Sequence, residues 1–156
     1  MTHLARLTLT TIDGASMLAD AASELADAAS EHLRSLDAYE HFIWKHEPTP
    51  GSHRAEAAHR NKVLGTEENL KQATGEFRVG FEAGGREFSD SKPGSASALS
   101  HACMAYLEGQ ERRAEASARW LQQQGFLAEV EREIVLIEAS EQEVRSTLLA
   151  YQRHRG

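Results

Sequence analysis

One cysteine, three prolines and 6% aromatic residues are all that this chain of 156 residues has of the groups that crosslink, interrupt or heavily load a fold. Cys103 has no second thiol for a disulfide and cannot assemble a thiolate zinc cluster, so its place among alanines marks it as a small core residue. No apolar run approaches the roughly 20 residues that cross a bilayer, and no charged-then-apolar leader is expected at the start. Positive charge is also scarce. The formal net charge of -7 has the wrong sign for holding phosphates, which argues against a nucleic-acid partner, as the short apolar runs argue against membrane insertion. Nucleotide, serine-hydrolase, zinc-protease and Cys-x-x-Cys signatures are all missing.

What is present is helical patterning over most of the length. Leu18-Ala19-Asp20-Ala21-Ala22-Ser23-Glu24 recurs unchanged as residues 25–31, a tandem seven-residue unit. Extending that frame gives one column of Ala15, Ala22, Ala29, Leu36 and Ile43. A neighbouring column holds Leu18, Leu25, His32, Tyr39 and His46. A helix from about Asp13 to Glu47 is predicted, ended by Pro48 and Pro50 and packing tightly where alanine dominates. A second helix is expected from Ser52 or His53 to about Thr74. A third runs from Ser95 or Ser97 to Gly125, whose glycine would supply the left-handed cap, and a fourth carries Leu127, Val130, Ile134, Ile137, Val144, Leu148 and Tyr151 in three- and four-residue steps. The short connection at Gly125 joins the last two as an antiparallel hairpin.

Two segments carry strand signals. Residues 3–12 alternate Leu7 and Leu9 with Thr8 and Thr10, and Phe77, Val79 and Phe81 alternate with polar residues before Gly84-Gly85, predicting a short N-terminal strand and a small β-hairpin over 76–88. The fold class read from these patterns is mainly α, an antiparallel bundle of four long helices with those minor β additions. It is taken as a single helical-bundle domain over 1–156, with a Ser/Pro/Gly linker offering a subdivision into 1–90 and 95–156.

One constellation carries chemistry. Glu56-Ala57-Ala58-His59 places a carboxylate and an imidazole on one helical face, as carboxylate-bridged four-helix bundles require. In an antiparallel pair turning at 48–51, residues whose numbers sum to about 99 lie level, so Glu40 is expected near His59. Glu40, Glu56 and His59 are therefore the metal-site candidates, with iron, manganese or zinc as the suitable ions. A matching Glu-x-x-His is missing from the later helices, and His101 and His154 stand elsewhere, so a structural His–carboxylate pair is the preferred reading. His41, His46, His53 and His59 crowd the same junction and suit a transition metal or pH sensing. Glu141 and Arg113 interrupt apolar stripes and are expected to form a buried ion pair. Glu108 with Arg112 and Glu115 with Arg119 have the spacing of pairs along a solvated face.

No set of nucleophile, base and oxyanion donors emerges, so the favoured function is non-enzymatic: protein–protein interaction or self-assembly through heptad-patterned helix faces. Its partner would be a second copy or another protein, in an acidic, scaffold-like oligomer. The alternative is a carboxylate/histidine metal-binding bundle acting as oxidase or sensor, and a third reading is ligand binding near Tyr39, Phe42 and Trp44. Thirteen arginines against four lysines, with abundant alanine, point to a GC-rich bacterial gene and a cytoplasmic product.

Overall fold

The computed structural model describes residues 2–45, 49, 51–83 and 92–155, with the backbone alone for 2–17 and 83. It contains four helices in chain order: α1 Thr2–Lys45, α2 Ser52–Ala83, α3 Ala96–Leu121 and α4 Leu127–Arg155. Among the described residues there is no strand, and no helix is long and apolar enough to cross a membrane. The chain divides into two compact units, Met1–Asp90 and Ser91–Gly156, each a pair of helices packed side by side.

Both segments with strand-like alternation are helical where they are described. Residues 2–12 continue straight into α1, so Asp13 and Gly14 do not start a helix there but lie inside one. In α2, Phe77 and Phe81 are buried beside each other with ring centroids 5.8 Å apart, whereas Val79 is 68% exposed. Alternation places 77, 79 and 81 on one face; a helix places only 77 and 81 together. Leu70, Ala73 and Thr74 complete the same buried stripe, which is why α2 reaches Ala83 rather than stopping at Thr74. The proposed hairpin turn at Gly84-Gly85 and its return through 86–88 lie outside the described residues.

In the first unit, α1 buries Ala22, Leu25, Ala26, Ala29, His32 and Leu33. Residue numbers fall along α2 as they rise along α1: Leu18 meets Gly80, His32 meets Thr66, Tyr39 meets Glu56 and Phe42 meets His59. These sums run from 95 to 101, so the two helices are antiparallel with the register expected from the turn. The seam drifts as it goes. A straight helix loses about 20° per heptad against a strict seven-residue repeat, and by the fifth repeat Phe42 is buried while its neighbour Ile43 is exposed. Reciprocal bonds open α2: the Thr49 amide donates to Ser52 Oγ at 2.8 Å and the Ser52 amide to Thr49 Oγ1 at 3.3 Å.

In the second unit, Ser95 caps α3 by accepting from the Ala98 amide at 3.1 Å. Gly94 before it has φ +82°, and a Cβ there would come within 1.7 Å of the His154 imidazole, so both backbone and space demand glycine. Farther along, a Cβ on Gly109 would stand 3.2 Å from Ile137 Cγ1, marking a close approach of α3 and α4. The hairpin turn differs from its sequence reading. Gln123, not Gly125, takes the left-handed conformation, at φ +59°. The Gln124 amide donates to the Arg119 carbonyl and the Gln123 amide to the Trp120 carbonyl, which is the Schellman closure of a helix end. Gly125 is needed for space instead: a Cβ there would meet Arg119 Cβ at 2.9 Å.

These two positions make opposite predictions. Gln123→Gly relieves a left-handed non-glycine residue and is expected to raise stability by about 0.5–1 kcal/mol. Gly125→Ala is expected to lower it by at least about 1 kcal/mol, because the new methyl must displace the end of α3. Urea midpoints of the two variants check the signs; equal signs would contradict this account of the turn.

Candidate functional site

Near the turn end of the first pair, each of two residues three apart on α1 meets one of two residues three apart on α2. Tyr39 Oη donates to Glu56 Oε1 at 2.6 Å, and the other Glu56 oxygen lies 3.8 Å from Arg60 Nη1. The imidazole of His59 is tilted 32° against the Phe42 ring with centroids 4.9 Å apart. Glu56 and His59 thus share a face toward α1, as their spacing requires, but the residues opposite them are aromatic. Glu40 is exposed. It follows Tyr39 by one residue and so is turned 100° away from it around the helix.

His41 and His53 are also exposed, His101 is partly exposed on α3 and His154 stands at the end of α4; His46 lies outside the described residues. Among the described residues, no three histidines, cysteines or carboxylates are grouped so as to hold a metal ion. The arrangement at 39–59 can clamp two helices through one phenol–carboxylate bond and one ring contact. Hydrogen bonding to the Glu56 carboxylate, followed by burial, raises the Tyr39 pKa above its ordinary 10.0. Stability from this bond is present below pH 10 and is lost as pH rises through the folded-state value. Tyr39→Phe is expected to cost about 0.5–1.5 kcal/mol, the usual net worth of one such bond. It should also remove the Tyr39 phenolate transition, which in the wild type appears by ultraviolet titration at higher pH than in the unfolded chain.

Two turns from this clamp, the apolar contact holds a polar layer that the motifs did not reveal. His32 is 1% exposed, with Nδ1 3.0 Å from Thr66 Oγ1; Thr66 Oγ1 is 2.7 Å from Ser35 Oγ, and Ser35 Oγ is 2.7 Å from the His32 carbonyl. With one proton per hydroxyl, Ser35 Oγ donates either to the His32 carbonyl or to Thr66, and Thr66 Oγ1 donates in turn to one of the acceptors around it. The Val63 carbonyl, 3.0 Å from Thr66 Oγ1, is a further acceptor. The imidazole in this ring is neutral. Burial lowers the His32 pKa from 6.5 to about 4. The sequence signal was available: His32 occupies a leucine column, and Thr66 falls between Val63 and Leu70 at core spacing.

Because the unfolded chain takes up this proton near pH 6.5 and the folded chain resists until about 4, stability falls as pH drops through that window. The total is on the order of 3 kcal/mol. An NMR titration of the His32 ring in the folded protein should show a midpoint near 4. In His32→Leu the loss of stability between pH 6.5 and 4 should shrink correspondingly; a midpoint at the ordinary histidine value would contradict the neutral ring.

In the second unit two arginines of α3 reach across to glutamates of α4. Arg112 Nε lies 3.3 Å from Glu133 Oε2, and Arg119 Nη2 lies 3.6 Å from Glu129 Oε2. The expected Glu141–Arg113 pair does not form. Glu141 accepts from Arg145 at 3.4 Å on its own helix, and Arg113 is exposed. The register places residue 109 opposite 137 and 112 opposite 133, so the level of Arg113 is near residue 133. Glu141 is eight residues farther, about 12 Å along the axis.

An open groove of about 480 Å³ runs between α3 and α4, lined among others by Ala98, His101, Ala102, Glu143, Thr147 and Ala150. Another surface feature of this unit is apolar. Trp120 and Leu121 end α3, Phe126 and Leu127 open α4, and all four are exposed, Leu121 and Phe126 at 74% each. Ile134, two turns along the Leu127 side of α4, is exposed as well. No protein-family model, curated protein or solved structure matches the chain.

Proposed function

We propose that this chain is a non-enzymatic helical protein of the cytoplasm that mediates protein–protein contact or self-assembly through apolar helix faces. The observation that carries the reading is the cluster of Trp120, Leu121, Phe126 and Leu127 around one tight turn, large apolar side chains left in solvent beside a pair that already buries Leu99, Tyr106, Val144 and Leu148. Single exposed leucines are ordinary, but contiguous aromatic and aliphatic surface at a helix-pair end is the composition of a contact site. The heptad columns of α1 that first suggested such a role are largely consumed inside the first unit, where Leu25, Ala29 and His32 are buried. The contact surface in this reading is therefore the α3–α4 end. A net charge of -7 keeps the chain away from nucleic acid and leaves proteins as its partners.

The test is photo-crosslinking in native cells. A photoreactive side chain in place of Phe126 is expected to yield discrete protein adducts, and the same group in place of the exposed Arg132 on α4 is expected to yield few. Equal labelling at both positions, or none at either, would remove the reading.

A further inference from the structure

We infer that the partner seated on the α3–α4 turn end is a second copy of this chain, related by a two-fold axis through the turn. The inference rests on the interaction reading above and names its occupant. Three observations support it.

The first is area. Trp120 is 44% exposed, Leu121 and Phe126 74%, Leu127 47% and Ile134 39%, which together present on the order of 500 Å² of apolar-residue surface. Gln122, Gln123 and Gln124 are exposed between them and enlarge the patch toward the ~800 Å² per partner of a standard interface. The second is charge. Between residues 111 and 136 the arginines at 112, 113, 119 and 132 nearly offset the glutamates at 111, 115, 129, 131 and 133, a local balance of four against five. The chain as a whole carries -7, so this is a stretch in which two identical acidic molecules approach with little repulsion.

The third is self-complementarity. A two-fold contact sets each group against its own kind or against a neighbour, so it favours side chains that both donate and accept. Three successive primary amides do this, and apolar surface does it without regard to direction. The arginine at the turn, Arg119, is paired with Glu129 at 3.6 Å, so it does not offer the open cationic rim that suits an anionic lipid or a phosphate-bearing partner. The turn is also preorganised: the bonds from Gln123 to Trp120 and from Gln124 to Arg119 hold Leu121 and Phe126 on either side of a closed loop before any partner arrives. In a usual Schellman end an apolar pair across the motif covers itself. Here those positions are Arg119 and Gln124, and the apolar residues beside them face outward.

Sedimentation equilibrium of the full chain across micromolar concentrations tests this. The wild type is expected to show a monomer–dimer equilibrium, and Leu121→Asp with Phe126→Asp to weaken it at least 100-fold with helix content unchanged by circular dichroism. Leu64→Asp with Val79→Asp, exposed positions on α2, is expected to leave the dimer intact. Should the turn variant lose helix, the milder Leu121→Gln with Phe126→Gln provides the comparison. A dimer that survives both turn variants, or a wild type that stays monomeric at 100-micromolar concentration, overturns the inference. In the monomeric case, crosslinks from position 126 to other proteins would leave the interaction reading standing, and their absence would remove that reading as well.

Discussion

The register between α1 and α2 governs what every side chain of the first unit meets, and the His32–Thr66–Ser35 ring is the interaction most sensitive to it. An imidazole and two hydroxyls sit in an otherwise apolar contact with their short contacts satisfied by one another. Sliding one helix by a turn would move Thr66 away from His32 and leave buried polar groups unpaired, at several kcal/mol. Alanine–leucine contacts such as those of Ala22, Ala26 and Ala29 tolerate sliding far better, because apolar contacts have no direction. The repeated seven-residue unit would by itself permit a heptad slip, since residues 18–24 and 25–31 are identical. A polar layer placed after the repeat is what distinguishes one alignment from the next.

From that register the clamp at the turn end follows. Tyr39 and Phe42 lie two and three turns beyond His32 on α1, and Glu56 and His59 stand correspondingly nearer the turn on α2. The phenol–carboxylate bond and the ring contact thus reinforce the alignment set by the polar layer. The second unit uses steric rather than polar specification. Gly109 admits Ile137, Gly94 admits the His154 ring, and Gly125 lets the chain pass over Arg119. Three glycines in one helix pair are positions where a methyl has little or no room, so the alignment of α3 with α4 is set by close approach.

The two units also spend their apolar residues differently. In the first, Ala22, Leu25, Ala26 and Ala29 of the repeat are buried, and the exposed large apolar residues, Ile43 and Trp44 on α1 and Leu64 and Val79 on α2, lie apart along the two helices. In the second, α4 encloses Val130, Val144, Leu148 and Tyr151 and leaves Leu127, Ile134, Val135, Leu136 and Leu149 exposed. A helix with apolar residues on more than one side has more hydrophobic surface than one neighbour can cover. The part of that excess beside the turn, Leu127 and Ile134 with Trp120, Leu121 and Phe126, is the physical basis for proposing contact at this end of the α3–α4 pair.

Breaks and pairing were legible from residue order alone, and so was the helical period except over 3–12 and 77–81, where alternation was read as strand. Three- and four-residue apolar steps reveal helices, Pro48, Pro50, Pro93 and Gly94 separate them, and the short connections make neighbours of α1 with α2 and of α3 with α4. Counting gives the levels of the first pair but misses those of the second, where Glu141 lies eight residues from the level of Arg113. Phase was not legible. Phe42 rather than Glu40 meets His59, Phe42 rather than Ile43 is enclosed, Val79 leaves the side of Phe77 and Phe81, and Gln123 rather than Gly125 takes the left-handed turn position. Each difference is one or two residues, or 100–200° of rotation, and two-residue alternation in a short segment fits a strand and a helix face equally until a partner surface selects between them. Spacing along a helix is an intrinsic property of its backbone; the direction in which any one side chain points is decided by the neighbour it packs against, and that neighbour exists only once the chain has folded back on itself.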